Sequence, residues 1–148
     1  MKVEINSEIK ELFISEYLKS LPFETGGILF GYYSNNFETA VVTDAFYGIP
    51  DSQSHSRSFK RGTRGFNKFS EKMWKQKKFY LGEWHTHPMS LPEMSLQDKR
   101  QMLDIKNSLK YNCDTPILII IGEIEKRIQS SIYIFSDNNI LKETSSLG

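Results

Sequence analysis

Residues 116–121 read Pro-Ile-Leu-Ile-Ile-Ile. A strand turns successive side chains to opposite faces, so an unbroken apolar run of this kind leaves neither face polar. Such a strand is stable only when both faces are covered, which is the position of an inner strand in a sheet with helices on either side. The surrounding pattern agrees. Ile5, Ile9, Leu12, Phe13 and Tyr17 recur at helical spacing, with Ser7 as a candidate cap, and predict a helix over about residues 7–19 that ends before Pro22. Gly27–Tyr33 and Glu38–Phe46 are rich in β-branched and aromatic residues and flank Ser34-Asn35-Asn36, the signature of a strand pair joined by a turn. Phe66, Phe69, Met73 and Trp74 mark a second helix, Phe79–His87 a strand closed by Pro88, and Ser95 opens a third helix with Met102, Ile105 and Leu109 on one face. Strands follow at about 116–122 and 130–136, and Ser145–Gly148 is expected to fray. Helices interleaved with strands in this way predict an α/β fold, a mixed β-sheet flanked by helices.

The 148 residues suit a single domain over 1–148, with a sizeable core and no room for a separate recognition module. Nineteen Lys and Arg against 18 Asp and Glu give a net charge of +1, so bulk charge directs the chain neither to nucleic acid nor to an anionic membrane. The opening MKVEINSEIKELF lacks the apolar core of a secretory signal, and Ile117–Ile121 is far too short to span a bilayer, so a soluble, cytoplasmic protein is expected. Cys113 is the only cysteine. It permits no internal disulfide and no thiolate-rich metal knuckle, and reads as a small buried hydrophobe rather than a nucleophile. A metal in this chain must therefore be held by His and carboxylate.

Two of the three histidines stand at His85 and His87. Residues two apart on a strand share a face, so both imidazoles can reach one ion. Asp98 lies in the first turn of the helix opening at Ser95, where an intervening loop can fold its carboxylate back beside the strand end. Two His and one Asp are three protein ligands, and they leave the fourth position of a tetrahedral zinc open, as a hydrolase requires. Each fragment also has a bland reading: a histidine in a structural hydrogen bond, or Ser95-x-x-Asp98 as a helix-capping box. A water-activating base is also needed, and three carboxylates compete. Glu24 opens Glu24-Thr-Gly-Gly-Ile-Leu-Phe-Gly31, whose paired glycines permit close backbone approach; Glu83 shares the face of His85 and His87; Glu93 lies in the loop between the ligands. Spacing alone does not choose among them.

Taken in order, Glu24 with its Gly-rich strand, His85-Thr86-His87-Pro88, Ser95 and Asp98 resemble the signature of the JAMM (MPN-plus) metalloproteases, over nearly the whole chain. The resemblance implies a cytidine-deaminase-like JAMM/MPN sandwich, Zn2+ on His85, His87 and Asp98, Glu24 as general acid/base, and Ser95 as the donor that stabilises the tetrahedral oxyanion. Glu83 departs from the aromatic residue that many members carry there. Glu24-Thr-Gly-Gly, the loop with Phe59 and Arg61-Gly62, and Gly82-Glu-Trp-His-Thr-His-Pro look most like the deconjugating proteases of bacterial anti-phage (CBASS-type) operons, which reverse attachment of a nucleotidyltransferase to its targets. The partners so implied are a protein substrate with an extended C-terminal tail, either a ubiquitin-like protein or a conjugated nucleotidyltransferase, and ubiquitin-activating or conjugating-like enzymes of the same operon. Processing of a small sulfur-carrier protein is the alternative within the family, and a non-catalytic metal-binding or nucleic-acid-associated scaffold the alternative outside it. A zinc nucleoside deaminase is excluded, because it needs His-x-Glu and a later Pro-Cys-x-x-Cys. The loop of residues 47–65, with Arg57, Lys60, Arg61 and Arg64, reads as a solvated basic face, and His55 within it as a structural or solvated histidine.

Overall fold

The computed structural model describes residues 1–147. In chain order the elements are β1 (Lys2–Ile5), α1 (Ser7–Ser20), β2 (Gly26–Ser34), β3 (Thr39–Tyr47), β4 (Gln53–Ser54), β5 (Phe59–Lys60), α2 (Phe66–Lys75), β6 (Phe79–Thr86), α3 (Leu96–Asn107), β7 (Ile117–Ile124), β8 (Arg127–Phe135) and β9 (Ile140–Ser146). Seven strands form one sheet in the order β1-β3-β2-β6-β7-β8-β9, and β4 pairs with β5 in a separate hairpin. The β1/β3 and β6/β7 pairs are parallel and the other neighbours antiparallel, so the sheet is mixed.

The apolar run sits one strand from the sheet centre, as its composition demands. Ile117, Ile119 and Ile121 pack with Ile9, Phe13 and Tyr17 of α1, while Leu118 and Ile120 pack with Phe66 and Met73 of α2 and Met102 and Ile105 of α3. All five residues from Ile117 to Ile121 are at most 1% exposed. Each such side chain contributes about 1.5–3 kcal/mol relative to exposure, which is what fixes α1 to one face and α2 with α3 to the other.

Several local expectations need correction. Ser7 does not cap α1: the capping position is Asn6, with no side-chain cap bond. The helix itself starts at Ser7 as expected, but Ile5, counted in its apolar pattern, belongs to β1, where Val3 and Ile5 alternate toward the core beside β3. Leu109 is not on the buried face of α3. That helix ends at Asn107, and Leu109 is 95% exposed. The C-terminal stretch does not fray through Ser146, which is paired with Gln129 in the β8/β9 ladder, and Leu147 is buried; Gly148 lies outside the described residues.

A bulge in β6 decides which residues face the helices α2 and α3. Leu29 pairs with Gly82 but Phe30 with Tyr80, so one extra residue is accommodated on β6. Gly82 has φ of +154°, and a Cβ there would fall 1.8 Å from the carbonyl oxygen of Ile117, so only glycine serves. Beyond the bulge Trp84 turns to the α1 face, where its ring lies 5.0 Å from that of Phe13, and Glu83 and His85 turn to the opposite one.

Candidate active site

His85 and His87 converge at the end of β6, their Nε2 atoms 3.2 Å apart. His87 lies one residue past the strand, yet its N–H still donates to the Ile121 carbonyl at 2.7 Å, so it keeps the strand's direction. Asp98 reaches both rings, with Oδ1 3.3 Å from His85 Nε2 and Oδ2 3.5 Å from His87 Nε2. The capping box expected at the start of α3 is present and is what aims this carboxylate: Ser95 N–H donates to Asp98 Oδ2 at 2.9 Å, and Asp98 N–H donates to Ser95 Oγ at 3.1 Å. The cap and the ligand reading are thus one arrangement.

The loop between the imidazoles and α3 is pinned from both layers. Tyr17 OH, on α1, accepts the Met89 N–H at 2.8 Å and donates to Glu123 Oε1 at 2.7 Å. Tyr133 OH, on β8, accepts the Met94 N–H at 3.0 Å. Burial, with Glu123 adding to it, pushes the Tyr17 phenol up to about 12, so it remains a donor across the working pH range. Sequence reading placed Tyr17 in the core but could not see this second task, since nothing local distinguishes a buried phenol that holds a loop.

Of the three competing carboxylates, Glu24 is the one brought to the imidazoles. It is buried, and its carboxylate and the two imidazoles each offer one atom, all within 4.8 Å of one another. The glycines after it make this approach possible. Gly26 lies opposite His85 in the β2/β6 ladder, and a Cβ on it would fall 2.3 Å from the Trp84 carbonyl oxygen and 2.7 Å from His85 Cβ. Glu83 is instead occupied by Arg61, Nε to Oε1 at 2.8 Å and Nη2 to Oε2 at 3.1 Å, and by Tyr80 OH at 2.5 Å. Glu93 is exposed. His55 is exposed, and its carbonyl, not its ring, touches the site by accepting the Glu24 N–H at 2.8 Å. Cys113 is buried, as expected of a small hydrophobe. The reading of the 47–65 loop as uniformly solvated is wrong at Arg61, whose side chain is only 11% exposed.

The two carboxylates at the imidazole pair are held in opposite conditions. Burial raises the Glu24 carboxyl, more than the neighbouring imidazoles lower it, and the charge of Asp98 adds to the rise. Burial would raise Asp98 too, but hydrogen bonds from His85 and His87 and from the Ser95 N–H hold it well below the usual carboxylate range. For His87, burial works against the charge, and the hydrogen bond and charge of Asp98 prevail to raise it.

These residues fit a metal ion. Ligands about 2.0–2.1 Å from a tetrahedral zinc lie roughly 3.3–3.4 Å from one another; here the two imidazole nitrogens are 3.2 Å apart, and Asp98 approaches them at 3.3 and 3.5 Å through its two different oxygens. Imidazole nitrogen with one carboxylate oxygen suits zinc better than the all-oxygen shells of calcium or magnesium. A cleft of about 280 Å3 opens over Glu24, His87, Ser95 and Asp98, with Ser56, Arg57 and Phe59 as its far wall. A neighbouring pocket of about 450 Å3 shares Phe59, Asp98 and Gln101 with it and extends to Arg61 and Glu83. Phe59 entered the sequence reading only as part of the resembling loop, and Gln101, which carries no motif, was not singled out.

A family model described as prokaryotic homologs of the JAB domain matches residues 7–132, which include Glu24, His85, His87, Ser95 and Asp98. A curated protein from Enterobacter hormaechei subsp. hoffmannii (strain UCI 50), named CD-NTase/cGAS isopeptidase, is 40% identical over 120 residues, 81% of this chain and 67% of the relative. The solution structure of protein DSY2949 from Desulfitobacterium hafniense superposes with a TM-score of 0.71 at 17% identity, over 95% of this chain and 89% of that one, and shows a shared fold. With 126 consecutive residues inside the family match, the chain belongs to the prokaryotic JAB-domain family.

Proposed function

We propose that this protein is a zinc metallo-isopeptidase that hydrolyses the bond after the C-terminal tail of a conjugated protein, and that its substrate in bacterial antiviral defence is a nucleotidyltransferase joined to a target. One observation carries the chemistry: two carboxylates close on one imidazole pair, Glu24 from the buried start of the Gly-rich strand and Asp98 aimed by its capping box. Burial raises the Glu24 carboxyl while hydrogen bonds lower that of Asp98, which suits the first to carry a proton and the second to stay charged as a ligand. In this reading Asp98, with His85 and His87, holds zinc, and Glu24 moves the proton. Zinc bound there would supply Lewis-acid activation of water and carbonyl at neutral pH.

Glu24 is suited to its task because it lies buried beside both imidazoles, and that burial raises its affinity for a proton taken from water and returned to a leaving amine. Ser95 Oγ already accepts the Asp98 N–H, which leaves its hydroxyl proton free for donation into the cleft, where an oxyanion would develop. The name of the 40% identical relative supports both bond type and substrate class. The conjugate would be made by activating and conjugating enzymes of the same operon. No helix among the described residues is long and apolar enough to cross a membrane, and we place the reaction in the cytoplasm, where such a conjugate would form.

A water deprotonated by Glu24 would attack whichever carbonyl is placed before it, so selectivity must come from placement. The test compares a C-terminal fusion to the operon's nucleotidyltransferase with a short peptide of the same tail. Cleavage at the tail's end is expected, abolished by chelation and restored by zinc, with kcat/KM well below the fusion's for the peptide. Equal kcat/KM for the two substrates would reject the substrate class, and activity that survives complete metal removal would reject the chemistry.

A further inference from the structure

The segment between β3 and α2 folds as a finger with a closed neck and a single deep anchor. At the neck, the Asp51 carboxylate accepts the N–H groups of Thr63 at 3.0 Å and Arg64 at 2.9 Å, and Ser52 Oγ accepts that of Gly62 at 2.9 Å. Above it β4 pairs with β5, Gln53 opposite Lys60 and Ser54 opposite Phe59. The tip, residues 55–58, hangs beside Glu24 and accepts its N–H through the His55 carbonyl. The anchor is Arg61, the residue after β5. Its guanidinium grips Glu83 through two parallel bonds, donates to Tyr111 OH at 2.7 Å and to the Gly62 carbonyl at 3.1 Å, and lies 5.9 Å and 5.6 Å from the ring centroids of Phe66 and Tyr111. Glu83 in turn takes the Tyr80 hydroxyl, made available by the Gly82 bulge.

We infer that Arg61 and Glu83 are positioning residues for the proton carrier: through the β4–β5 finger they hold Glu24 against the imidazole pair. The connection is a closed circuit. Glu83 stands two residues before His85 on β6; Arg61 fastens the finger to Glu83; the finger's His55 carbonyl fastens the Glu24 backbone; and Gly26, two residues after Glu24, returns to β6 opposite His85. A planar fork with both ends engaged fixes direction as well as distance, which a lysine ammonium at the same place does not. This also accounts for the carboxylate at 83, whose oxygens are engaged by Arg61 and Tyr80 and so are unsuited to take a proton from water. A misplacement of about 1 Å at a reacting group costs about 10^2 in rate, and that sets the scale of the effect.

The inference rests on the reading of Glu24 as proton carrier, and the test separates the two. The variants are Arg61→Lys, Arg61→Met and the charge-free pair Arg61→Met/Glu83→Gln, which removes the buried unpaired carboxylate that could unfold the single variant. Each is assayed with the conjugate for kcat and KM, for zinc content, and, with and without zinc, for amide exchange. With the double variant, kcat is expected to fall about 10- to 10^2-fold with zinc content unchanged and KM moved much less. Exchange at the Glu24 amide and residues 53–60 should quicken while the β7 amides stay protected, and Arg61→Lys should recover part of kcat. A folded double variant with wild-type kcat, or with an unaltered Glu24 amide, overturns the inference. Wild-type turnover in Glu24→Gln would instead overturn the reading beneath it, while the amide exchange still reports on the anchor.

Discussion

Removing the metal should lower the stability of this protein by an amount set by mass action. His85 Nε2 and His87 Nε2 are already 3.2 Å apart, with one Asp98 oxygen within 3.3 Å of the first and the other within 3.5 Å of the second, close to the separation around a tetrahedral zinc, so binding requires little rearrangement of the folded chain. The unfolded chain scatters the same donors, with Asp98 eleven residues beyond His87. An ion that binds only the folded state stabilises it by RT ln(1 + [L]/Kd), about 2.7 kcal/mol at 100 times Kd. For a domain of this size each kcal/mol moves Tm by roughly 2–4 °C, so zinc at that excess should raise Tm by about 5–10 °C over chelated protein. The fold itself should survive chelation, because both faces of the sheet carry a buried apolar cluster independent of the site. The assay is thermal unfolding followed by circular dichroism during a zinc titration, with magnesium and calcium as controls, on wild type and on His85→Ala, His87→Ala and Asp98→Ala. Magnesium and calcium should do little, since two of the three donors are nitrogens. A zinc shift below about 1 °C, or the same shift in all three variants, would refute the assignment of these donors.

Glu24→Gln should retain zinc and Tm but lower turnover by about 10^2 to 10^4, the usual worth of a positioned acid/base group; a mild effect in steady-state kinetics would remove Glu24 from the mechanism. Ser95→Ala should lose about 1 kcal/mol of stability with its helix cap and about 10^2 to 10^3 in turnover with its donor, and a less stable but fully active variant would leave only the cap. Tyr17→Phe should cost about 1–3 kcal/mol, because the Met89 N–H loses its acceptor and Glu123 its donor. Denaturant melts check this last value, and zinc affinity should weaken with it, since the same hydroxyl holds the loop that leads from His87 to Asp98.

What was legible in the sequence is what short spacing encodes. His85 and His87 share a face because a strand has period two, and Ser95 with Asp98 makes a capping box because helix geometry returns a side chain after three residues. The run Ile117–Ile121 demanded cover on both faces for the same local reason, and received it. Illegible were the features that depend on where distant segments meet. Three carboxylates competed for one role that spacing did not assign, and their surroundings part them: Glu24 lies beside ring nitrogens supplied 61 and 63 residues later, Glu83 beside a guanidinium supplied 22 residues earlier, and Glu93 in solvent. The four cations of the 47–65 loop looked alike as composition, yet Arg61 is drawn inward by a carboxylate and two aromatic rings that no count of loop charges contains. Gly82 would have been the most informative residue to question. A glycine inside a strand costs stability unless something requires it, and here it requires a bulge. That bulge puts Tyr80 and Glu83 on one face, so that the anchor of the finger and the imidazole at His85 are set by the same kink in β6.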